Sequence, residues 1–559
     1  MTDALAPRDA SAKGGVASRL LSPTLTQMVL ATIADRSDHV AVKANDGRLA
    51  LTYRELLDQA NVIAAGLAGI GVRRGDAVAL MLTNRPEFFP IDLAALLSGA
   101  IPFSLYNSAT VDQLAHVLAD AGAKVVLCER QFQDVLLNAC REAAVVKRVV
   151  VIDGDGSGGT MTADALSAVG MRGFDLSKAA SEVTADDIAT LIYTSGSTGA
   201  PKGVELTHAN LVAEVRAIDA AVAQVEGGSY LSFLPAAHIG DRARAYYGSV
   251  IAFGHEVTTI ADATNLMPTM KTERPVYCGG PPRIWEKVKA GLEQRYGSDL
   301  SDRAARDPGL GQQIRHDLGV DRARWISTGS APTQSGQFEF FESLGIRLCE
   351  LWGMTETCSI ATTNTPDLYR FGSVGRAVQG LELRLADDGE LLARGPTIAK
   401  RYRNRPDAMA EAYDTDGWFH TGDIARVDEE GFWWIIDRKK EIMINAAGKN
   451  MSPSNIENTL KAAGSVIMQA CVIGDRRPYN VALIVPVESR PADPSVVEQV
   501  AAAVTVANEK LSRVEQIKAF ALIHEEWLPG SEVMTPTMKL KRREIEQRYA
   551  AEIAQLYAR

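Results

Sequence analysis

Leu191–Leu211 reads LIYTSGSTGAPKGVELTHANL, the stretch of the 559-residue chain that says most about its fold. The apolar run ATLIYT is predicted to be a buried strand ending at Tyr193. It is followed by Thr194, Ser195, Gly196, Ser197, Thr198, Gly199, Ala200, Pro201, Lys202 and Gly203. Glycines let backbone N–H groups approach an anion closely, hydroxyls add donors, and Lys202 adds positive charge. A loop of this composition directly after a buried strand is predicted to cradle phosphate. It is not a Walker loop, because GxxxxGK[ST] occurs nowhere in the chain. Thr207 then stands where a helix beginning near Ala209 would take its N-cap.

Outward from this loop, Leu51 to Ser195 alternates helical stretches with short β-rich runs: AVALML from Ala77, AKVVLCE from Ala123, RVVVID from Arg148 and ATLIYT from Ala189. Such runs suit strands buried on both faces of a parallel sheet. Between them, Tyr53 to Ile70 places Leu56, Leu57, Ala60, Ile63 and Leu67 on one helical face. The alternation predicts an α/β architecture, and no repeat with a period of roughly 20–50 residues argues for a solenoid or propeller.

Composition narrows the function classes. Hydrophobic residues make up 46% and charged residues 23%, with a formal net charge of −10, as in an ordinary soluble protein. The acidity argues against bulk nucleic-acid binding. Six cysteines without a CxxC pair read as reduced, structural thiols in a cytoplasmic protein. The opening MTDALAPRDASAKGG lacks the apolar core of a signal peptide, so residues 1–20 are expected to be a flexible lead-in. The apolar region from Phe88 to Leu105 is broken by Pro90, Asp92 and Pro102, short of the about 18 uninterrupted residues of a membrane span. Composition leaves peripheral contact with a membrane, and a homodimer, open.

A domain boundary is expected near Asp437. Before it, GWFHTGDIARVDEEGFWWII reads as two strands joined by a turn at Asp428 to Gly431, with Trp433 and Trp434 in the sheet core. After it come DRKKEIMINAAGKNMSP and a smaller α+β segment with a basic tail. The DRKKE run serves equally as a solvated turn or an inter-domain connector.

The motif YTSGSTGAPKG resembles that of the acyl- and aryl-adenylate-forming enzymes, which include acyl-CoA synthetases, luciferases and peptide-synthetase adenylation domains. Further motifs follow in the family's order: FLPAAHIGDR from Phe233, STGSAP from Ser327, ELWGMTET from Glu350, GWFHTGD from Gly417, IIDRKKEIM from Ile435 and TPTMKLKR from Thr535. The resemblance runs from about Leu51 to the end. It implies an α/β fold with a large N-terminal domain of stacked sheets and helices, residues 21–436, including a small β-barrel-like subdomain. A small mobile α+β domain, residues 437–559, would turn on a hinge at 437–442.

Such enzymes let a carboxylate attack the α-phosphate of ATP, releasing pyrophosphate and forming an acyl-AMP that a thiol then cleaves. By resemblance, Thr194 to Lys202 would hold the β- and γ-phosphates, with Thr194 and Glu356 beside Mg2+. Trp352 would stack on adenine, followed by Gly353, Met354 and Thr355, and Ser330 and Ala331 would line the adenine and carboxylate end. Asp423 and Arg438 would contact the ribose. Lys539 would be the catalytic lysine, with Lys541 close enough to rival it, and His238 would sit beside the acyl tunnel. Asp437 matches the hinge position, and Gly448, Lys449 and Asn450 would belong to the face presented to coenzyme A.

FLPAAHIGDR, PPRIWEKV from Pro281, GKNMSP and TPTMKLKR most resemble long-chain and very-long-chain fatty acyl-CoA synthetases. The resemblance therefore implies a fatty acid, ATP and CoA as substrates. Two alternatives are transfer to a carrier-protein phosphopantetheine and a non-catalytic acyl- or nucleotide-binding paralogue. The pattern departs at Arg401, where Gly is common, and at Ala446 and Ala447, which precede Gly448 where Gly is frequent.

Overall fold

The computed structural model describes residues 15–194, 200–444, 450–464, 466–487, 494–528, 530–535 and 539–558. Its largest sheet is built around parallel strands. Leu348–Trp352, Trp325–Thr328, Tyr277–Gly280, Ser229–Ser232, Glu256–Thr259 and Val40–Ala44 lie side by side in that order. Four of them carry a motif at the carboxyl end: FLPAAH after Ser232, PPRIW after Gly280, STGSAP at Ser327 and GMTE after Trp352. Parallel strands all finish on one edge of a sheet, so residues far apart in sequence are delivered to the same crevice.

A second sheet is parallel throughout: Ile101–Ser104, Ala77–Met81, Ala123–Cys128, Arg148–Val151 and Met161–Thr162. Three of the four apolar runs read as parallel strands are here. The fourth is not. Ile188–Thr194 pairs antiparallel with Lys202–Thr207, Thr194 facing Lys202. Only seven residues separate the two strands, too few for a parallel crossover, which takes about a dozen or more. The strand also runs one residue past Tyr193, its expected end.

Local signals behave as the side chains dictate. Tyr53–Gly69 starts with a capping box from Thr52 and Glu55 and buries Leu56, Ala60 and Leu67, while Leu57 and Ile63 are half-buried. Thr207 caps His208–Ala221, one residue earlier than expected, and Asn210 completes the box. Val16–Arg19 is helical, although it falls within the expected lead-in. Arg19 is buried and held by Glu226 at 2.9 Å, which fixes the chain there. All six cysteines are free, five of them buried.

The small β subdomain is a four-stranded antiparallel sheet of Glu382–Leu385, Glu390–Arg394, Phe419–Val427 and Trp433–Arg438. Trp433 is buried within it, and Trp434 is half-buried with the Arg426 guanidinium 3.9 Å from its ring centre. Its last strand continues through Asp437 to Arg438, and Lys439 N–H still bonds Gly422. The chain leaves this sheet beyond Lys439. The C-terminal part has its own core, with the strands Ile467–Ile473, Asn480–Pro486 and Ile517–Leu522 packed against Pro453–Ala462 and Pro494–Lys510.

Arg242–Phe253 winds as a π-helix and is buried along almost its whole length. This geometry is rare and usually confined to a single turn. Its first residue anchors it: the Arg242 guanidinium, wholly enclosed, pairs with the equally buried Asp92. It also donates to the Tyr247 hydroxyl at 2.8 Å and the Ser104 hydroxyl at 3.0 Å. Asp92 therefore interrupts the apolar run near Phe88 because it neutralises this guanidinium. Asp92→Ala is expected to cost about 3–5 kcal/mol, since it strands a buried charge, seen as a lower urea midpoint at unchanged slope.

Glu350, in the strand leading to Trp352, is also buried and accepts the Thr333 N–H at 2.8 Å. Burial raises its pKa to about 8, so the folded protein keeps it protonated where the unfolded chain has released the proton. A raised carboxyl contributes stability that is present below about 4.5 and lost as pH climbs toward 8. Relative to wild type, Glu350→Gln should therefore gain stability between pH 5 and 8, approaching ~1.4 kcal/mol per pH unit. Urea titrations of both proteins across that range measure the slope.

Candidate active site

Trp352 ends a central strand, and the chain must then turn sharply. A Cβ on Gly353 would fall 1.7 Å from the Ser359 carbonyl oxygen, so only glycine lets the two segments pass. Met354 N–H donates to the Thr357 hydroxyl at 3.0 Å, and Thr355–Thr357 forms a single 3-10 turn. This turn places Glu356, nearly buried, with its carboxylate accepting from the Tyr402 hydroxyl at 2.9 Å. Its carbonyl accepts the Ala399 N–H at 2.7 Å.

Tyr402 was not foreseen. It lies in the two-residue strand Arg401–Tyr402, which pairs with Lys202–Thr207 at the base of the glycine-rich loop. The Lys202 ammonium is 5.5 Å from the centre of its ring. One tyrosine thus touches both the loop lysine and Glu356, and an aromatic beside the Arg401 departure was the available signal. Arg401 itself occupies an ordinary strand pair with Glu205, where glycine's freedom is not needed.

Asp423 is 2% exposed, on a strand whose register sets it opposite Arg438. One oxygen, Oδ1, lies 2.8 Å from Arg438 Nε, and the other, Oδ2, accepts the Trp352 indole N–H at 2.8 Å. Burial raises the Asp423 pKa, while Arg438 and the indole pull it down. Ser330 and Ala331, at the end of a neighbouring parallel strand, are exposed. Ser330 takes φ 71°, a left-handed conformation uncommon outside glycine and frequent at functional sites.

Lys539 comes from the far end of the sequence. Its backbone is tied to Thr535 by two hydrogen bonds, Thr535 N–H to the Lys539 carbonyl at 2.8 Å and Lys539 N–H to the Thr535 hydroxyl at 2.9 Å. The side chain keeps water access in a cleft whose walls nonetheless desolvate it. That desolvation lowers its pKa first, Arg438 lowers it further, and Asp423, Glu441 and Glu356 oppose the shift. Lys541, the rival, is engaged elsewhere, donating to the Ser531 carbonyl at 3.0 Å.

His238 is in the same field. Its pKa is lowered to about 4 by burial and then by the Lys539 charge, so the imidazole is neutral at neutral pH. Nδ1 accepts the Gly240 N–H at 3.0 Å, which leaves the proton on Nε2 as a donor. Asp437 accepts from the Ser452 hydroxyl at 2.5 Å, the Ser454 N–H at 3.1 Å and the Ser454 hydroxyl at 3.0 Å. Two further contacts join the C-terminal part to the large domain: Arg283 pairs with Glu526 at 3.0 Å, and Gly530 packs beside Ser108.

Asp423 thus contacts Trp352 and Arg438, and Lys539 lies within electrostatic reach of Asp423, Arg438, Glu356 and His238. Ser195, Gly196, Ser197, Thr198 and Gly199 lie outside the described residues, as do Ala446, Ala447, Gly448, Lys449 and the Asn450 side chain. The strands on either side of the glycine-rich loop are described, and Tyr402, on the strand paired with the second of them, bonds Glu356. No cluster of three or more His, Cys, Asp or Glu side chains occurs among the described residues. A hydroxyl at Thr194 and a single carboxylate at Glu356 suit Mg2+, which keeps water and substrate phosphates as most of its ligands. No helix among the described residues is long and apolar enough to cross a membrane.

The chain is similar to known proteins. The putative fatty-acid–CoA ligase fadD11 of Mycobacterium tuberculosis is 42% identical, over 69% of this chain and 76% of that one. The long-chain-fatty-acid–CoA ligase FadD15 of the same organism is 32% identical, over 91% and 92%. Among solved structures, O-succinylbenzoate CoA synthetase (MenE) from Bacillus subtilis, in complex with ATP and magnesium ion, superposes with a TM-score of 0.73. It is 22% identical and matches over 93% of this chain and 98% of that one, a likeness of fold. The model of the AMP-binding enzyme family matches residues 30–403 and that of the AMP-binding enzyme C-terminal domain residues 440–559, so the chain belongs to the AMP-binding enzyme family.

Proposed function

We propose that the protein is an ATP-dependent fatty acid–CoA ligase acting in two steps. The fatty carboxylate attacks the α-phosphate of ATP, pyrophosphate leaves, and the acyl-AMP is then cleaved by the thiol of coenzyme A with release of AMP. The observation that carries the reading is that Lys539, although 101 residues beyond Arg438 in sequence, lies within electrostatic reach of Asp423, Arg438 and Glu356. The fatty acid as substrate is supported by the relatives' named activities.

Each residue has a physical task. Asp423 accepts the ribose hydroxyls, for which an ionised carboxylate offers several lone pairs. Trp352 supplies a broad ring beside the base. Lys539 places a positive charge between the carboxylate and the α-phosphate as negative charge moves onto the phosphate oxygens, a form of electrostatic stabilisation. Neutral His238, with its Nε2–H, can donate to the substrate carboxylate without adding a charge to a crowded site. Thr194 and Glu356 would hold Mg2+, which when bound neutralises phosphate charge.

A lysine at the reacting oxygens obstructs the approach of a thiol to the same carbonyl. The C-terminal unit, attached through the segment beyond Lys439, would rotate between the steps, breaking the Arg283–Glu526 pair and removing Lys539. The surface around Gly448, Lys449 and Asn450 would then face coenzyme A.

Lys539→Ala should lower acyl-AMP formation by roughly 100-fold or more, the scale of losing a transition-state charge contact. Conversion of supplied acyl-AMP and CoA to acyl-CoA should change less than about threefold. Pyrophosphate release with fatty acids of increasing length, with and without CoA, tests the substrate class. Pyrophosphate release and acyl-AMP without acyl-CoA would instead indicate a carrier-protein acceptor. No release with any acid would reject the ligase reading.

A further inference from the structure

We propose that the indole N–H of Trp352 is a positioning donor that orients the Asp423 carboxylate for the ribose, so that this tryptophan reads the sugar as well as the base. The inference rests on the adenylation reading of the site and adds a discriminating residue to it.

Asp423 presents two oxygens, each with two lone pairs. One lone pair on Oδ2 is taken by Trp352 Nε1–H at 2.8 Å, while the Arg438 guanidinium forms an ion pair with Oδ1, its Nε 2.8 Å away. The two donors come from different sheets: Trp352 ends a strand of the large parallel sheet, and Arg438 stands opposite Asp423 in the small antiparallel one. The directional indole bond sets the turn of the carboxylate, the ion pair holds its other oxygen, and lone pairs on both oxygens remain for the ribose hydroxyls. Hydrogen bonds to a charged acceptor are among the stronger ones in proteins, and charge-assisted contacts impose direction as well as energy. The Trp352 contact is buried at both ends, whereas the Arg438 side chain is 42% exposed. Water therefore competes with the arginine much more than with the indole.

The rigidity of the donor strengthens the case. Trp352 follows a strand residue and precedes Gly353, whose backbone is pressed against Ser359, so the ring cannot be re-aimed by a small main-chain shift. An indole differs here from a phenyl ring, which would fill the same place and stack on the base but offer no N–H. An imidazole reverses the comparison: His Nε2 occupies the same place in the five-membered ring as Trp Nε1, without the fused benzene ring.

The test is calorimetric binding of ATP, 2′-deoxy-ATP and 3′-deoxy-ATP to the full-length protein and its variants, in the absence of turnover. Trp352→Phe should weaken ATP about tenfold, the loss of one hydrogen bond to a charged group, yet weaken the two deoxy nucleotides by less than about threefold. Trp352→His should bind all three more weakly and still favour ATP over the deoxy nucleotides as the wild type does. Asp423→Asn should bring ATP down to the deoxy level, and adding Trp352→Phe to it should then cost less than about twofold, because the partner is already gone. Equal losses for all three nucleotides in Trp352→Phe, or additive losses in the double variant, would overturn the assignment and leave the ligase reading standing. Wild-type protein that binds no ATP would overturn both.

Discussion

The carboxylate of Asp423, clamped between an indole and a guanidinium, is the point where the architecture of the chain becomes chemistry. Each partner comes from a different sheet, so the contact exists only if the large parallel sheet and the small antiparallel sheet meet at a fixed angle. Burial opposes the charge on Asp423, and the two donors offset part of that cost. A comparable bond joins Glu356 to Tyr402 across the other side of the cleft. Together these two bonds tie the last central strand of the large sheet, and the turn that follows it, to the two smaller sheets.

The remaining design separates what must be fixed from what must move. The fixed parts grow from the ends of parallel strands or from antiparallel registers, where backbone hydrogen bonding leaves little play. Lys539 is carried instead by a loop of the C-terminal unit, which meets the large domain through the exposed Arg283–Glu526 pair and the small Gly530–Ser108 contact. Exposed ion pairs contribute little stability, which suits a contact that the proposed rotation would break. Asp437 complicates a simple hinge: it lies in the large domain's sheet yet holds Ser452 and Ser454 at the start of a C-terminal helix. The proposed rotation would therefore occur around that anchor or release it.

Much of the local structure was legible from short-range chemistry. Thr207 and Asn210, and Thr52 and Glu55, are adjacent on the chain, so their capping boxes depend on nothing distant. The three parallel apolar runs were readable because burial on both faces leaves a continuous hydrophobic signature. Ile188–Thr194 carries the same signature for a different reason. It is buried in a hairpin sheet, and an apolar run does not reveal the direction of its partner. Residues 15–20 looked like part of a polar lead-in because the residue that pins them, Glu226, is 207 positions from Arg19.

The sequence by itself supplied the candidates for the site: the glycine-rich loop, the strand-end motifs and, by their resemblance to a family, Glu356, Asp423, Arg438 and Lys539. It could do so because each is embedded in a short run of neighbours that resembles a family motif, whereas each residue alone would read as an ordinary surface or turn residue. Only the tertiary structure decided the pairings, including Tyr402 with Glu356, Trp352 with Asp423, Arg242 with Asp92, and Lys541 with the Ser531 carbonyl. Those contacts depend on sheet order, strand register and the seating of one domain against another, which long-range packing sets and no short window of sequence contains.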